Sequence, residues 1–305
     1  MRRALRAAER HWFPALPPRR LAVFRILVGV WTLVYVGRRR RMFERVARTE
    51  GLFQPVGPAK ALGRPLSRAA FSALLRVNQL ATLAFILGWR HRQTGPLFGG
   101  SLLSLLSYRN SWTMIYHCDN VLVLHALALG LAPSADDLSL DSRRAARQGG
   151  AGLGRLRPPR PHWRYGWPIQ LLNAMTVLTY FLAGVAKLKG PLGRRWATGE
   201  SLRSQVAVDC LRKELLGGGA APAAARLYEQ LALYRLLAVG SLALELGAPA
   251  ALVNQRLARL WAVNAFFMHW GIFLVMGIRF RYQQSGLVYA PFFDLERGLA
   301  RLRLS

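Results

Sequence analysis

Apolar residues run along this chain in seven long stretches separated by basic loops. The stretches are 21–37, 71–89, 96–108, 114–131, 167–188, 234–252 and 260–278; a shorter one, 285–293, reads as a partial eighth. Most approach the length at which a helix, rising ~1.5 Å per residue, crosses the ~30 Å hydrocarbon core of a bilayer. Backbone polar groups in lipid must be satisfied within the segment itself. The predicted class is therefore all-α: a polytopic integral membrane helix bundle of about seven transmembrane helices, six to eight, without strands.

Gly99, Gly100, Gly184, Gly240 and Gly247 are small residues that suit close helix contact. Two connections are long. Residues 132–166 are rich in Arg, Pro and Gly, and 189–231 contain GGGAAPAAA, which predicts a flexible turn between short helices. No internal repeat is visible, and residues 1–305 read as a single membrane domain. The first apolar stretch contains Arg25 and ends in Arg38 to Arg41 without a small-residue cleavage site. It is expected to be a retained span and not a secretory signal.

Composition sharpens this picture. The chain is 52% hydrophobic yet carries a formal net charge of +29. The basic residues cluster between apolar stretches, which fits loops at anionic lipid head groups better than a nucleic-acid surface; no nucleic acid is expected as partner. Arg and Lys flank almost every stretch on both sides, so the positive-inside rule does not choose an orientation. The two cysteines, Cys118 and Cys210, belong to no CxxC motif, which removes the usual zinc and thiol-redox signatures. No GxSxG, HExxH, P-loop or GxGxxG motif occurs, and the spacing of His117 and His269 gives metal ligation no support; no metal is expected.

Polar groups inside apolar stretches are costly and need a reason. Arg25 and Glu245 are such groups, and a mutual structural charge pair is the expected solution. His117 and Asn120 share a face at i and i+3, with Asp119 beside them and His125 two turns on; His269 lies in FFMHWG. A satisfied interior histidine is the commoner reading of each. The stretch WPIQLLNAMTVLTYFLAGVAKLK says most. Tyr180, Gly184 and Lys187 stand at i, i+4 and i+7, which puts a hydroxyl, a notch and an amine on one helix face. Lys187 is either an interface anchor or a working residue, and Lys189 is already placed to be the anchor.

At these residues the chain resembles the vitamin K-dependent gamma-carboxylase family, in its bacterial membrane-only form, the HTTM (horizontally transferred transmembrane) domain proteins. LAVFRILVGVW has that family's Arg within an apolar run. SWTMIYHCDNVLVLHALALGLAP followed by LSLD is similar to its SW…H…WSVD region. YFLAGVAKL closely matches YFIAGVKKL and is followed by Trp196 and Gly199, as in the family's W-x-x-G. FFMHWGIFLVMGIRF resembles its late histidine-bearing helix. The resemblance implies that Lys187 is the base that deprotonates a reduced quinone of the vitamin K hydroquinone type. It implies that His117 and His269 are catalytic partners, and that Tyr180 and Gly184 line the cofactor site. The first of the family's paired lysines is Ala186 here, and the family's large lumenal C-terminal domain is not expected.

Three functions compete. The first is a carbon–carbon lyase-type membrane enzyme: a quinone-dependent carboxylase or oxygenase acting on an acidic protein or small molecule. The second is a non-enzymatic lipid- or quinone-binding membrane protein. The third is a transporter, which ranks last because repeated halves and paired broken helices are lacking. A multi-pass position in a bacterial inner membrane is the expected location.

Overall fold

The computed structural model describes residues 2–46, 50–112, 115–148 and 160–302. It is 79% helical, with no strand among the described residues; one antiparallel bridge joins Leu16 to His162. The helices are α1 (Arg2–Trp12), α2 (Pro18–Arg38), α3 (Arg40–Val46), α4 (Arg68–Leu87), α5 (His91–Asn110), α6 (His117–Leu131), α7 (Leu140–Gln148) and α8 (Trp163–Lys189). They continue with α9 (Glu200–Leu215), α10 (Pro222–Leu227), α11 (Leu231–Leu246), α12 (Gln255–Met276), α13 (Arg281–Gln284) and α14 (Leu295–Leu302).

Helices α2, α4, α8 and α12 are long and apolar enough to cross a membrane, which marks a membrane protein. The other expected spans do not combine that length with that composition. Helix α6 has 15 residues, about 22 Å at the usual rise, although the stretch's start at Met114 lies outside the described residues. Helix α11 has 16 residues and stops at Gly247, because Pro249 turns the chain into a 3-10 segment, Ala248–Leu252. Helix α5 has 20 residues, but its first turn is His-Arg-Gln-Thr, so only its later part is apolar. Stretch 285–293 forms the 3-10 turn Leu287–Phe292 instead of a helix.

Contacts gather into two compact units where the sequence reads as one domain. The first is Met1–Leu172 with Asp294–Ser305, the second Asn173–Phe293. In the first, α4 packs on α2 and α5, and α6 packs on α5 and α2. Phe24, Val28, Phe85, Phe98, Leu102 and Leu122 are fully enclosed there. The α5–α6 seam is backbone against backbone. A Cβ on Gly95 would stand 2.3 Å from the Gly130 carbonyl oxygen, and one on Gly130 would stand 2.4 Å from that of Gly95. One turn on, a Cβ on Gly99 would stand 3.1 Å from Leu127 Cα. Small residues thus let these helices touch, as expected for Gly99 and Gly184. Gly100 and Gly240 face open space, and Gly247 meets only its own helix at Ala243.

Arg25 is fully buried on α2 and fastens one end of this unit. Its guanidinium donates to the carbonyls of Ser134 and Leu138, each at 2.6 Å, and more distantly to those of Ile86 and Asp137. The C-terminus of α4, at its left-handed cap Gly88 (φ 60°), is thereby joined to the loop after α6. Asp141 in turn caps the start of α5, accepting from the amides of Arg90 and His91 at 2.8 and 2.7 Å. Arg20 binds Asp294 and Glu296, which brings α14 back onto α2.

In the second unit α12 is central, contacting α9, α10, α11, α13 and the 3-10 turns Ala248–Leu252 and Leu287–Phe292. The Asn254 side chain caps it, accepting from the amides of Arg256 and Leu257 at 3.0 Å each. Trp261 Nε1 donates to the Leu244 carbonyl at 3.0 Å and so ties α12 to α11. Gly199, at φ 83°, lies against the backbone of Tyr234 and Arg235 at 2.6 and 2.3 Å from an added Cβ, where only glycine fits.

Two expectations follow for stability in detergent. Arg25→Met leaves the Ser134 and Leu138 carbonyls unpaired and should cost about 2–4 kcal/mol. Arg25→Lys should rescue little, because one ammonium cannot reproduce a forked donor. The measurement is the denaturation midpoint of each variant, and a wild-type midpoint in Arg25→Met would refute the role. His91, at the first position of α5, has its pKa lowered by burial. The fold therefore disfavours its charged form; its contribution is intact above pH ~6.5 and is lost as pH falls through that value. Thermal midpoints measured from pH 7.5 down to 5 should fall more steeply in the wild type than in His91→Gln.

Candidate functional site

Helix α8 delivers Tyr180, Gly184 and Lys187 to the second unit along one face, as their spacing requires. At its C-terminal end Lys187 Nζ lies 2.7 Å from both carboxylate oxygens of Glu245 on α11. The Lys187 side chain is 24% exposed and that of Glu245 only 8%. The Trp196 ring covers the amine, its centroid 5.0 Å from Nζ. Trp196 Nε1 is itself buried and has no hydrogen-bond partner. An ammonium and a carboxylate thus meet under an indole ring, and the ammonium keeps partial access from outside.

Gly184 makes this patch possible in a way its spacing did not foretell. A Cβ there would stand 2.9 Å from Glu245 Cβ and 3.1 Å from Leu246. The notch is taken up by helix contact: glycine lets α8 and α11 close until Lys187 reaches Glu245. Two turns earlier, Tyr180 belongs to a separate hydrogen-bond group. Its hydroxyl is 2.5 Å from that of Tyr289, which is 3.2 Å from His269 Nδ1. Tyr180 is also 3.4 Å from Nδ1, and Nδ1 is 2.9 Å from the Ala265 carbonyl oxygen one turn back on α12. The three residues are buried, with Trp261 edge-on to Tyr180 at 5.0 Å and Phe280 edge-on to His269 at 4.9 Å. With the ring proton on Nδ1, that nitrogen donates to Ala265; with it on Nε2, Tyr289 can donate to Nδ1. The group can pass a proton between its hydroxyls and imidazole.

The predicted residues are placed as follows. Lys187, Tyr180, Gly184 and His269 all lie in the second unit, but Lys187 and His269 hold different partners. The expected Arg25–Glu245 pair is replaced by two arrangements: Glu245 takes Lys187, and Arg25 takes backbone carbonyls. Each finds its partners within its own unit. His117 opens α6, and its side chain lies outside the described residues. His125 is fully buried in the first unit, edge-on to Phe24 at 5.6 Å.

Sequence reasoning missed two features. Tyr289 lies in the uncharged stretch 285–293, where nothing marks it as polar network. The first unit also holds a buried triad: Asp119 accepts from the Tyr35 hydroxyl at 2.8 Å and pairs with Arg109 Nη1 at 2.7 Å. Asp119 was visible as a carboxylate inside an apolar stretch, but Arg109 stands just past the end of another and reads as a loop residue. This triad meets its own needs and offers no open donor.

No family model, no curated protein and no solved structure matches the chain. The site must be argued from its own geometry.

Breaking the Lys187–Glu245 pair should show its burial. Lys187→Met leaves a nearly enclosed carboxylate without its partner and should cost about 3–5 kcal/mol. The double change Lys187→Met with Glu245→Leu should recover most of it, read as a double-mutant cycle of denaturation midpoints in detergent. Additive losses would mean that the two side chains do not interact.

Proposed function

We propose that this chain is a multi-pass protein of a bacterial inner membrane that carries quinone chemistry of the gamma-carboxylase type. Lys187 is the proton-accepting residue and Glu245 its partner. The observation that carries the reading is the Lys187–Glu245 contact at 2.7 Å under a Trp196 ring. The likeness of YFLAGVAKL, with Trp196 and Gly199 beyond it, to the family's motif supports it.

The chemistry follows from proton counting. As an ammonium beside a carboxylate, the pair has room for one more proton. Lys187 passes a proton to Glu245 and takes another from a phenolic hydroxyl, and the pair ends as an ammonium beside a carboxylic acid. A protonated lysine alone is no base at neutral pH, so Glu245 supplies the capacity that Lys187 lacks. A reduced quinone of the vitamin K type fits the residues present, since the partly exposed Lys187 Nζ can hold a ring oxygen and the Trp196 face offers a flat apolar wall beside it. Such a group, when bound, supplies an ionisable hydroxyl and reducing equivalents. Tyr180, Tyr289 and His269 form the second proton-conducting group of the same unit. The compound carboxylated or oxygenated would be an acidic protein or small molecule, and the surroundings are anionic lipid.

The completeness of the Lys187–Glu245 contact favours a second reading, a non-enzymatic lipid- or quinone-binding protein in which the pair only clamps α8 to α11. Quinone oxidation and CO₂ incorporation by the full-length protein in lipid decide between them. In the enzymatic reading Lys187→Ala and Glu245→Gln lose turnover by about a hundredfold or more. Lys187→Arg loses it too, because a guanidinium does not give up its proton. Equal rates in the wild type and all three variants would leave the clamp.

A further inference from the structure

One end of the first unit gathers aromatic side chains that no core claims. Trp12 closes α1 and is 40% exposed; Phe13 follows it at 48%, and Trp163 opens α8 at 52%. Phe13 and Trp163 meet edge-on, with ring centroids 6.1 Å apart. Trp89, 47% exposed just past α4, carries Arg90 over its ring at 5.2 Å. The loop after α6 brings these segments together: Asp136 accepts from Arg164 and Tyr165 at the start of α8, Asp137 from Arg19 at the start of α2, and Asp141 from the turn after Trp89. Both α4 and α8 are long and apolar enough to cross a membrane, and the exposed tryptophans stand at the termini of these helices. Amphipathic aromatic rings favour that level of a bilayer.

Helix α1 lies at the same end. Its sequence, RRALRAAERHW, has four arginines against one glutamate. At 100° per residue the charged positions fall on one side, while Ala8 and Trp12, four residues apart, lie away from it. Arg6, Glu9 and Arg10 are exposed. The described ties of α1 to the rest lie at its C-terminal end. Gln170 of α8 donates to the His11 carbonyl at 2.7 Å, and a Cβ on Gly166 would stand 1.8 Å from the Pro14 carbonyl oxygen. The chain just after α1 therefore rests directly on the first turns of α8, so α1 ends at the head of a helix long and apolar enough to span.

We propose that α1 is an interfacial helix, held at the aromatic end of α8, that binds the anionic head groups of the bilayer surface. Arginines on one side face phosphates, and the side of Ala8 and Trp12 enters the acyl boundary beside Phe13 and Trp163. The occupant is a lipid surface and not a protein groove because the face combines a basic stripe, a small apolar stripe and exposed tryptophan at the end of a membrane-length helix. This holds whatever chemistry the second unit performs.

Amide hydrogen exchange of the full chain in nanodiscs tests it, with discs of phosphatidylcholine alone compared with phosphatidylcholine mixed with phosphatidylglycerol. The amides of α1 should exchange about tenfold more slowly, or better, in the anionic discs. The variant R6Q/R10Q should erase that difference and leave the α8 amides unchanged. The milder E9Q, which removes the only carboxylate of α1, should widen it. Equal exchange of α1 in both lipids, or a difference that survives R6Q/R10Q, would overturn the proposal and leave α1 to protein contacts.

Discussion

Arg25 stands fully enclosed among apolar side chains and spends its hydrogen bonds on peptide carbonyls. A bare guanidinium in such a place would be prohibitive, and bare carbonyls there would be costly too. The two liabilities cancel. The loop after α6 can drop its carbonyls toward the core only because Arg25 receives them, and Arg25 can sit on a spanning-type helix only because that loop arrives. Much of that end depends on this exchange. The position of Asp137 against Arg19, of Asp136 against α8, and of Asp141 at the head of α5 are all set by where the loop is held.

The second unit meets the same constraint differently. Its buried carboxylate, Glu245, is answered by an amine that keeps partial access to the outside. Arg25 is a fixed staple among carbonyls; Lys187 is an amine set against a single carboxylate. That contrast separates an architectural charge from one that chemistry can use. The buried Tyr35–Asp119–Arg109 group falls on the architectural side, since its carboxylate is held by an arginine and a hydroxyl at once.

The helical class was legible because lipid leaves the backbone so few options, and long apolar stretches such as 21–37 and 167–188 are hard to misread. Span lengths were less legible. Hydropathy does not register that Pro249 ends a helix early or that α5 begins in the polar residues before its apolar stretch. The face of Tyr180, Gly184 and Lys187 was readable from periodicity, yet its partners were not. Glu245 lies 58 residues from Lys187, and nothing local distinguishes it as a partner for Lys187 from a partner for Arg25. Tyr289 was hidden for a related reason: a lone tyrosine among apolar residues looks like core until the fold places a second hydroxyl 2.5 Å away.

Gly184 and Lys187 lie nearly one turn apart on α8, and both are set against Glu245. The spacing of two helix axes and the length of an ion pair are therefore one quantity measured twice. A methyl group at position 184 carries no charge, yet by wedging the axes apart it would stretch the distance over which ammonium and carboxylate act on each other. Steric bulk at that point works as an electrostatic dial.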